Sequence, residues 1–274
     1  MLNYSIEQIK NVANLLRQDA IKMITKAGSG HPAGSLGMAD IFAVLYFKIL
    51  NYDPKNPKWT DRDRVILSNG HICPILYASL ARAGYFSLEK LDSLRTLGSA
   101  LQGHPSKKDA PFIETSTGSL GHGLAVACGM AKAAKMDQKK HFIWCIMSDA
   151  EHQEGSNWEA IAFATKYQLG NLKVIVDYNG IQLSGDVKDI MPVDSLKEKY
   201  QAFGWKIFEV DGHNIEAVVK VLEEAKNYND GPSAVLAKTI PGKGVSFMEG
   251  KWEWHGKTIS KEEETQALKE LENF

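Results

Sequence analysis

The hydrophobic positions of this chain follow a helical period at the start and become continuous short runs in the middle. In "SIEQIKNVANLLRQDAIKMITKAG" the apolar residues Ile6, Ile9, Val12, Leu15, Leu16, Ile21 and Ile24 recur at helical spacing, and the segment ends on a glycine. A Gly/His/Pro loop follows, and a second helix is predicted through "ADIFAVLYFKIL". "DRVILS" reads as a short strand with the helix "PILYASLARAGY" behind it. "HFIWCIMS" and "LKVIVD" read as buried strands separated by the helix "SNWEAIAFATKYQL". "WKIFEVD", "IEAVVKVLEEAKNY" and "SAVLAKT" repeat the strand–helix–strand order. Continuous apolar strands alternating with helices predict an α/β fold, a doubly wound and mostly parallel sheet with helices on both faces. The expectation is one domain over residues 1–274, N-terminal helix included.

That topology says where chemistry should lie. Ligands bind beyond the carboxyl ends of parallel strands. Asp149 directly follows the strand 141–148, and Asn179 follows the strand 172–177 by two residues. A right-handed crossover makes the two strands parallel, so both loops should leave the sheet at one edge. A carboxylate beside an amide oxygen suits a hard cation, Mg²⁺ or Ca²⁺, completed by phosphate oxygens and water. The helix starting near Ser156 should point its N-terminus there, favouring an anion. Taken singly, Asp149 also reads as a helix cap and Asn179 as a turn residue. The glycine patterns "GSGHPAG" and "PGKG" fit neither a dinucleotide fingerprint nor a P-loop.

Composition narrows the partners. With 32 basic and 33 acidic residues the formal charge is −1, so no global field recruits nucleic acid or an anionic membrane. The densest apolar run, "FIWCIM", is strand-sized and far too short to span a bilayer. "MLNYSIEQIK" lacks the pattern of an export signal. Cys73, Cys128 and Cys145 lie far apart without CxxC spacing, which suggests buried free thiols in a reducing cytoplasm.

Asp149-x4-Glu154-Gly155, with Asn179 thirty positions after Asp149, resembles the thiamine diphosphate motif, written G-D-G followed by an asparagine. The segment "WEAIAFATKYQLGNLKVIVDYNGIQLSG" is similar to transketolases in particular. "SGHPAGSLGMADI", "DRVILSNGHICPILYASLARAGY", "GHP", "TGSLGHGLAVACGMA" and "GKGVSFMEGKWEWHG" carry the resemblance in the family's order, over roughly residues 10–260. The resemblance implies a thiamine-diphosphate-binding fold and a set of site residues. Asp149, Asn179 and the backbone carbonyl of Ile181 match metal ligands. Gly118 and Leu120 match backbone along the aminopyrimidine ring, and His71 and the Ala150 amide match diphosphate contacts. His31, His104 and His255 match histidines that bind and polarise a donor ketose, a task that imidazole suits near neutral pH. Glu154 matches an acid at a subunit contact that couples paired sites.

The sequence departs from the family in three places. Ser148 and Ala150 stand where glycines flank the aspartate, and His122 stands where glutamine is usual. If the glycine at 150 sits at positive φ, alanine there costs about 1–2 kcal/mol. His122 alternatively caps a helix start, and His141, His152 and His213 read as structural. Full-length transketolases are more than twice this long and carry a second, pyrimidine-binding portion with a glutamate. The resemblance therefore implies one subunit of a split transketolase. It would move a two-carbon ketol unit between sugar phosphates together with a separate pyrimidine-binding chain, in an α2β2 assembly. A subunit of a thiamine-dependent enzyme for a specialised sugar, and a non-catalytic regulatory homologue with a weakened cofactor loop, are the alternatives.

Overall fold

The computed structural model describes residues 4–272 and 274. Residues 1–3 and 273, which the single-domain expectation includes, lie outside the described residues. The first helix, α1 (Ile6–Ala27), has both ends written in the sequence. Ser5 accepts from the Gln8 amide in a reciprocal capping box, and Gly28 closes the helix in the left-handed region at φ 65°. The expected Gly/His/Pro loop is shorter than the sequence suggested. Pro32 opens α2 (Pro32–Gly37) at a position where its missing N–H costs nothing. The predicted second helix is broken too, into α3 (Ala39–Val44) and a π turn at Leu45–Ile49.

The remaining elements follow the predicted order. They are β1 (Arg64–Leu67), α4 (Cys73–Arg82), α5 (Gly123–Met136), β2 (Ile143–Ser148), α6 (Gly155–Lys166) and β3 (Leu172–Tyr178). A small antiparallel hairpin, β4 (Ile181–Gln182) and β5 (Gly185–Asp186), precedes α7 (Val187–Ile190) and α8 (Leu196–Ala202). Then come β6 (Lys206–Asp211), α9 (Ile215–Asn227), β7 (Ser233–Lys238) and α10 (Lys261–Leu271). The sequence reading marks no segment for α5, the hairpin β4–β5, α7, α8 or α10; the Ser260/Glu263 capping box is a local signal for the last.

The five main strands pair in parallel in the order β1-β2-β3-β7-β6, which confirms the doubly wound reading. Side chains alternate across the sheet and divide the core in two. Trp144, Ile146, Ile175 and Val235 face the layer built from α1, α3, α4 and α9. Ile143, Cys145, Met147, Leu172, Val174 and Val176 face α5, α6 and α8. β6 is the exception, an edge strand with only Val210 buried. Cys73, Cys128 and Cys145 are free and buried. Among the described residues no helix is long and apolar enough to cross a membrane.

The strand order changes direction between β3 and β7, the switch point at which such sheets open a crevice. The chain cross-links this point. Thr239, just past β7, donates to Asp177 of β3 at 2.5 Å, and the Thr239 N–H reaches the Tyr178 carbonyl. Below it, Asp40 of α3 accepts from Arg17 of α1 and pairs with His213 Nδ1, while His213 Nε2 accepts from the Ile240 amide. His213 thus serves as a brace under the crevice, in keeping with a structural reading.

Candidate functional site

Asp149 and Asn179 leave parallel strands at the same edge and meet. Asp149 Oδ2 accepts from the Gly180 amide at 2.7 Å, and Oδ1 accepts from the Ala150 amide at 2.8 Å. The Asn179 amide is aimed by its neighbours. Its Nδ2 donates to Asp177 Oδ2 at 2.8 Å, which leaves Oδ1 on the crevice side, where the Ile181 N–H donates to it at 3.0 Å. Burial, and then the Asp177 charge, push the Asp149 carboxyl up to about 7, and burial pushes Asp177 up to about 6. Both carboxyl groups thus ionise less readily than usual, and a cation at this edge would favour their charged forms.

Asp149 caps a 3-10 turn, Ala150–Gln153, and not the helix near Ser156. This turn separates α6 from the strand, and its first amide, that of Ala150, is held by the Asp149 carboxylate itself. The turn also answers the question of the missing glycines. Asp149 lies at φ −60°, ψ −49°, and positive φ outside glycine occurs, among the described residues, at Arg95, Gln138 and Gln168. Ser148 and Ala150 therefore carry no left-handed strain. The Ser148 hydroxyl is buried in the strand end and accepts from the Glu151 amide at 3.3 Å.

Four histidines gather beside this edge. The His31 ring lies 5.0 Å from His71, 5.6 Å from His255 and 6.5 Å from His104, centroid to centroid, and His71 lies 4.9 Å from His255. Burial, then the His255, Arg95 and His104 charges, lowers His31 to about 4. Burial lowers His71 and His255 as well, and partial burial with the Arg95 charge lowers His104. Near pH 7 these are neutral rings that can donate at one nitrogen and accept at the other.

The loop 117–122 joins the histidines to the aspartate. Gly118 sits at φ 137° against the His104 ring, where an added Cβ would come within 3.0 Å of the ring carbons. A Cβ on Gly70 would strike the Gly118 amide at 2.9 Å, so the His71 turn and this loop touch at backbone level. On its other side the loop is held by Glu151, which is fully buried. Its carboxylate accepts from the Ser68 hydroxyl, from the Gly121 amide at 2.8 Å and from the Ser148 amide at 3.4 Å. Leu120 and Glu154 stand exposed at the rim, with the Glu154 side chain against Gly121. His122 occupies the position before α5 but is exposed and makes no side-chain cap, so the capping role expected for it is absent. His152 is buried, with Nδ1 near the Ser148 and Asp149 carbonyls and Nε2 on the Tyr200 hydroxyl, where it supports the turn from behind.

A cleft of about 450 Å³ opens on Asp149, Asn179, Ile181, Tyr178, Lys238 and Pro241. Several of the buried polar atoms without partners lie at the histidine end: both ends of the Asn69 amide, Thr117 Oγ1 and His31 Nδ1. Such atoms are what a polar ligand would satisfy. Among the described residues no three His, Cys, Asp or Glu side chains form a metal cluster. Asp149, the Asn179 oxygen and a nearby backbone carbonyl are too few for an all-protein cage, and fit a cation completed by diphosphate oxygens.

Residues 8–273 match the family described as "Transketolase, thiamine diphosphate binding domain". The 6-deoxy-6-sulfo-D-fructose transketolase subunit SqwG of Clostridium sp. (strain MSTE9) is 42% identical over 264 residues, 96% of this chain and 96% of its own. Human transketolase is 41% identical over 267 residues, but the chain spans only 42% of its length. The crystal structure of Campylobacter jejuni transketolase superposes with a TM-score of 0.93 at 36% identity, over 98% of this chain and 43% of that one. The chain belongs to the transketolase family, as its thiamine diphosphate binding domain.

Proposed function

We propose that this chain is the diphosphate-binding subunit of a two-chain transketolase, moving a two-carbon ketol unit from a ketose phosphate to an aldose phosphate. The observation that carries the reading is one sheet edge that joins hard oxygen donors to four neutral imidazoles. In it, Asp149, Asn179 and the Ile181 carbonyl hold Mg²⁺, with Ca²⁺ as a substitute. His71 and the Ala150 amide bind the diphosphate, and the Gly118 and Leu120 backbone lies along the aminopyrimidine. Bound thiamine diphosphate supplies the nucleophile and electron sink that the side chains lack. His31, His104 and His255 orient the ketose hydroxyls and pass protons at their ring nitrogens, which neutrality near pH 7 permits. Glu154, exposed at the rim, contacts the partner and couples the paired sites.

A partner is supported by the name of SqwG, a transketolase subunit 42% identical to this chain. The chain matches nearly all of a protein named as a transketolase subunit but under half of human transketolase. We infer a pyrimidine-binding chain as that partner, in an α2β2 complex working in the reducing cytoplasm, where three unpaired cysteines are at home. A specialised sugar as substrate is the second reading, favoured by the sulfo-fructose named for SqwG. Calorimetric titration of thiamine diphosphate with Mg²⁺, on this chain alone and with the product of an adjacent reading frame, tests the proposal. Binding that appears or tightens with the partner supports a shared site. Absence of binding in both would remove the enzyme reading and leave the regulatory homologue.

A further inference from the structure

Arg95 is in an unusual position for an arginine. Its backbone is left-handed at φ 58°, and its N–H closes a loop onto the Leu101 carbonyl at 2.8 Å. A non-glycine residue in that region is disfavoured and persists only where its surroundings over-determine it. The loop throws the guanidinium between two segments of the site. Nη1 donates to the Ser29 hydroxyl at 3.1 Å, two residues before His31. Nη2 donates to the Gly103 carbonyl at 3.4 Å, one residue before His104. The guanidinium lies on Gly103 so closely that an added Cβ there would be 2.9 Å from Nε. Nε itself is buried and unpartnered, and no carboxylate forms an ion pair with Arg95 among the described residues.

We propose that Arg95 is a positioning residue for ketol transfer: it ties the His31 loop to the His104 loop and sets an unpaired positive charge against both rings. This rests on the reading that these histidines hold the ketose. The charged and titratable groups that act on His31 are His255, Arg95 and His104; on His104 it is Arg95; and on His255 none is resolved. His71 adds its ring beside His31 and His255. The arginine charge therefore reaches two of the four rings directly. It disfavours a proton on each, and so keeps a lone pair free on the rings that its hydrogen bonds also place.

The test needs neither cofactor nor sugar, so it can fail or succeed apart from the transketolase reading. Histidine ring resonances of the full chain are followed between about pH 3 and 8.5, which brackets the lowered His31 midpoint, and assigned by single His→Asn replacements. In Arg95→Met, the His31 and His104 midpoints should rise by at least about half a pH unit, while His255 moves much less. Arg95→Lys, which restores charge without the planar fork, should recover part of that shift. Gly103→Ala keeps the arginine but crowds its guanidinium, and should give a smaller rise of the same sign even if the methionine variant does not fold. Unchanged His31 and His104 midpoints would overturn the proposal, and so would equal rises at all four histidines, the mark of a collapsed cluster.

Discussion

The helices of this protein begin in two different ways. α1, α8, α9 and α10 each start from a serine or asparagine whose side chain accepts a first-turn amide: Ser5, Ser195, Asn214 and Ser260. α2, α3, α4, α5, α6 and α7 start from His31, Met38, Ile72, His122, Glu154 and Asp186, and none of these six side chains makes a cap. Four of these six follow the candidate site's own residues, at His31, His71, the loop 118–122 and the turn after Asp149; α3 continues from α2, and α7 follows the hairpin β4–β5. An uncapped helix start leaves N–H groups that the chain itself does not satisfy. The helices that start beside the candidate site's residues lack a serine or asparagine cap, although the first amide of α5 is met by the Ser68 hydroxyl at 3.1 Å.

Substitutions can break this division, and the largest effect should come from the open side. Asp149→Ala removes the only carboxylate among the proposed cation ligands. Stranding a buried charge partner costs about 3–5 kcal/mol, so thiamine diphosphate affinity with Mg²⁺ should fall by roughly a hundredfold or more in calorimetry. Glu151→Gln keeps the shape but cannot accept all three donors that the carboxylate now holds. A loss of about 1–3 kcal/mol in urea unfolding is expected, with weaker cofactor binding as the loop 117–122 loosens.

Smaller effects sharpen the comparison. Ala150→Gly should lower stability by about 0.4–1 kcal/mol through the freer unfolded chain, because Ala150 already sits in an ordinary helical turn. It should not tighten cofactor binding, and a clear gain would show that the alanine methyl obstructs the diphosphate. On the capped side, Ser5→Ala should cost about 0.5–1 kcal/mol in the same unfolding experiment and leave cofactor affinity unchanged. A cofactor effect from Ser5 would dissolve the distinction between the two groups of helices.

Much of this was legible in the residues. Apolar runs marked β2, β3 and β7, and the parallel order followed from the helices between them, which brought Asp149 and Asn179 to one edge. The histidines were legible through their Gly- and Pro-containing loops. Less visible were groups whose role depends on burial. Glu151 reads as one more acid in a polar loop, because nothing local announces that Ser68 and Gly121 will enclose it. Arg95 lies in "LRTLGSALQG", without periodicity, and its role exists only once a left-handed turn lays it on Gly103. The short helix opened by Pro32 and the break after Val44 are not legible, because hydrophobic spacing reports burial and not the pitch of the backbone.

The contact between Asp177 and Asn179 has a consequence for timing. A side-chain amide has two ends of nearly equal size and opposite polarity, and a free one would have to turn over to meet a cation. Asp177 holds the nitrogen end and is itself held by Thr239 across the switch point. The oxygen is thereby aimed when β3 and β7 pair, before any ligand arrives. Reorientation is completed during folding, and less of it remains to oppose association. A carboxylate that never touches the cation would in this way set how fast, and not only how tightly, the site can be filled.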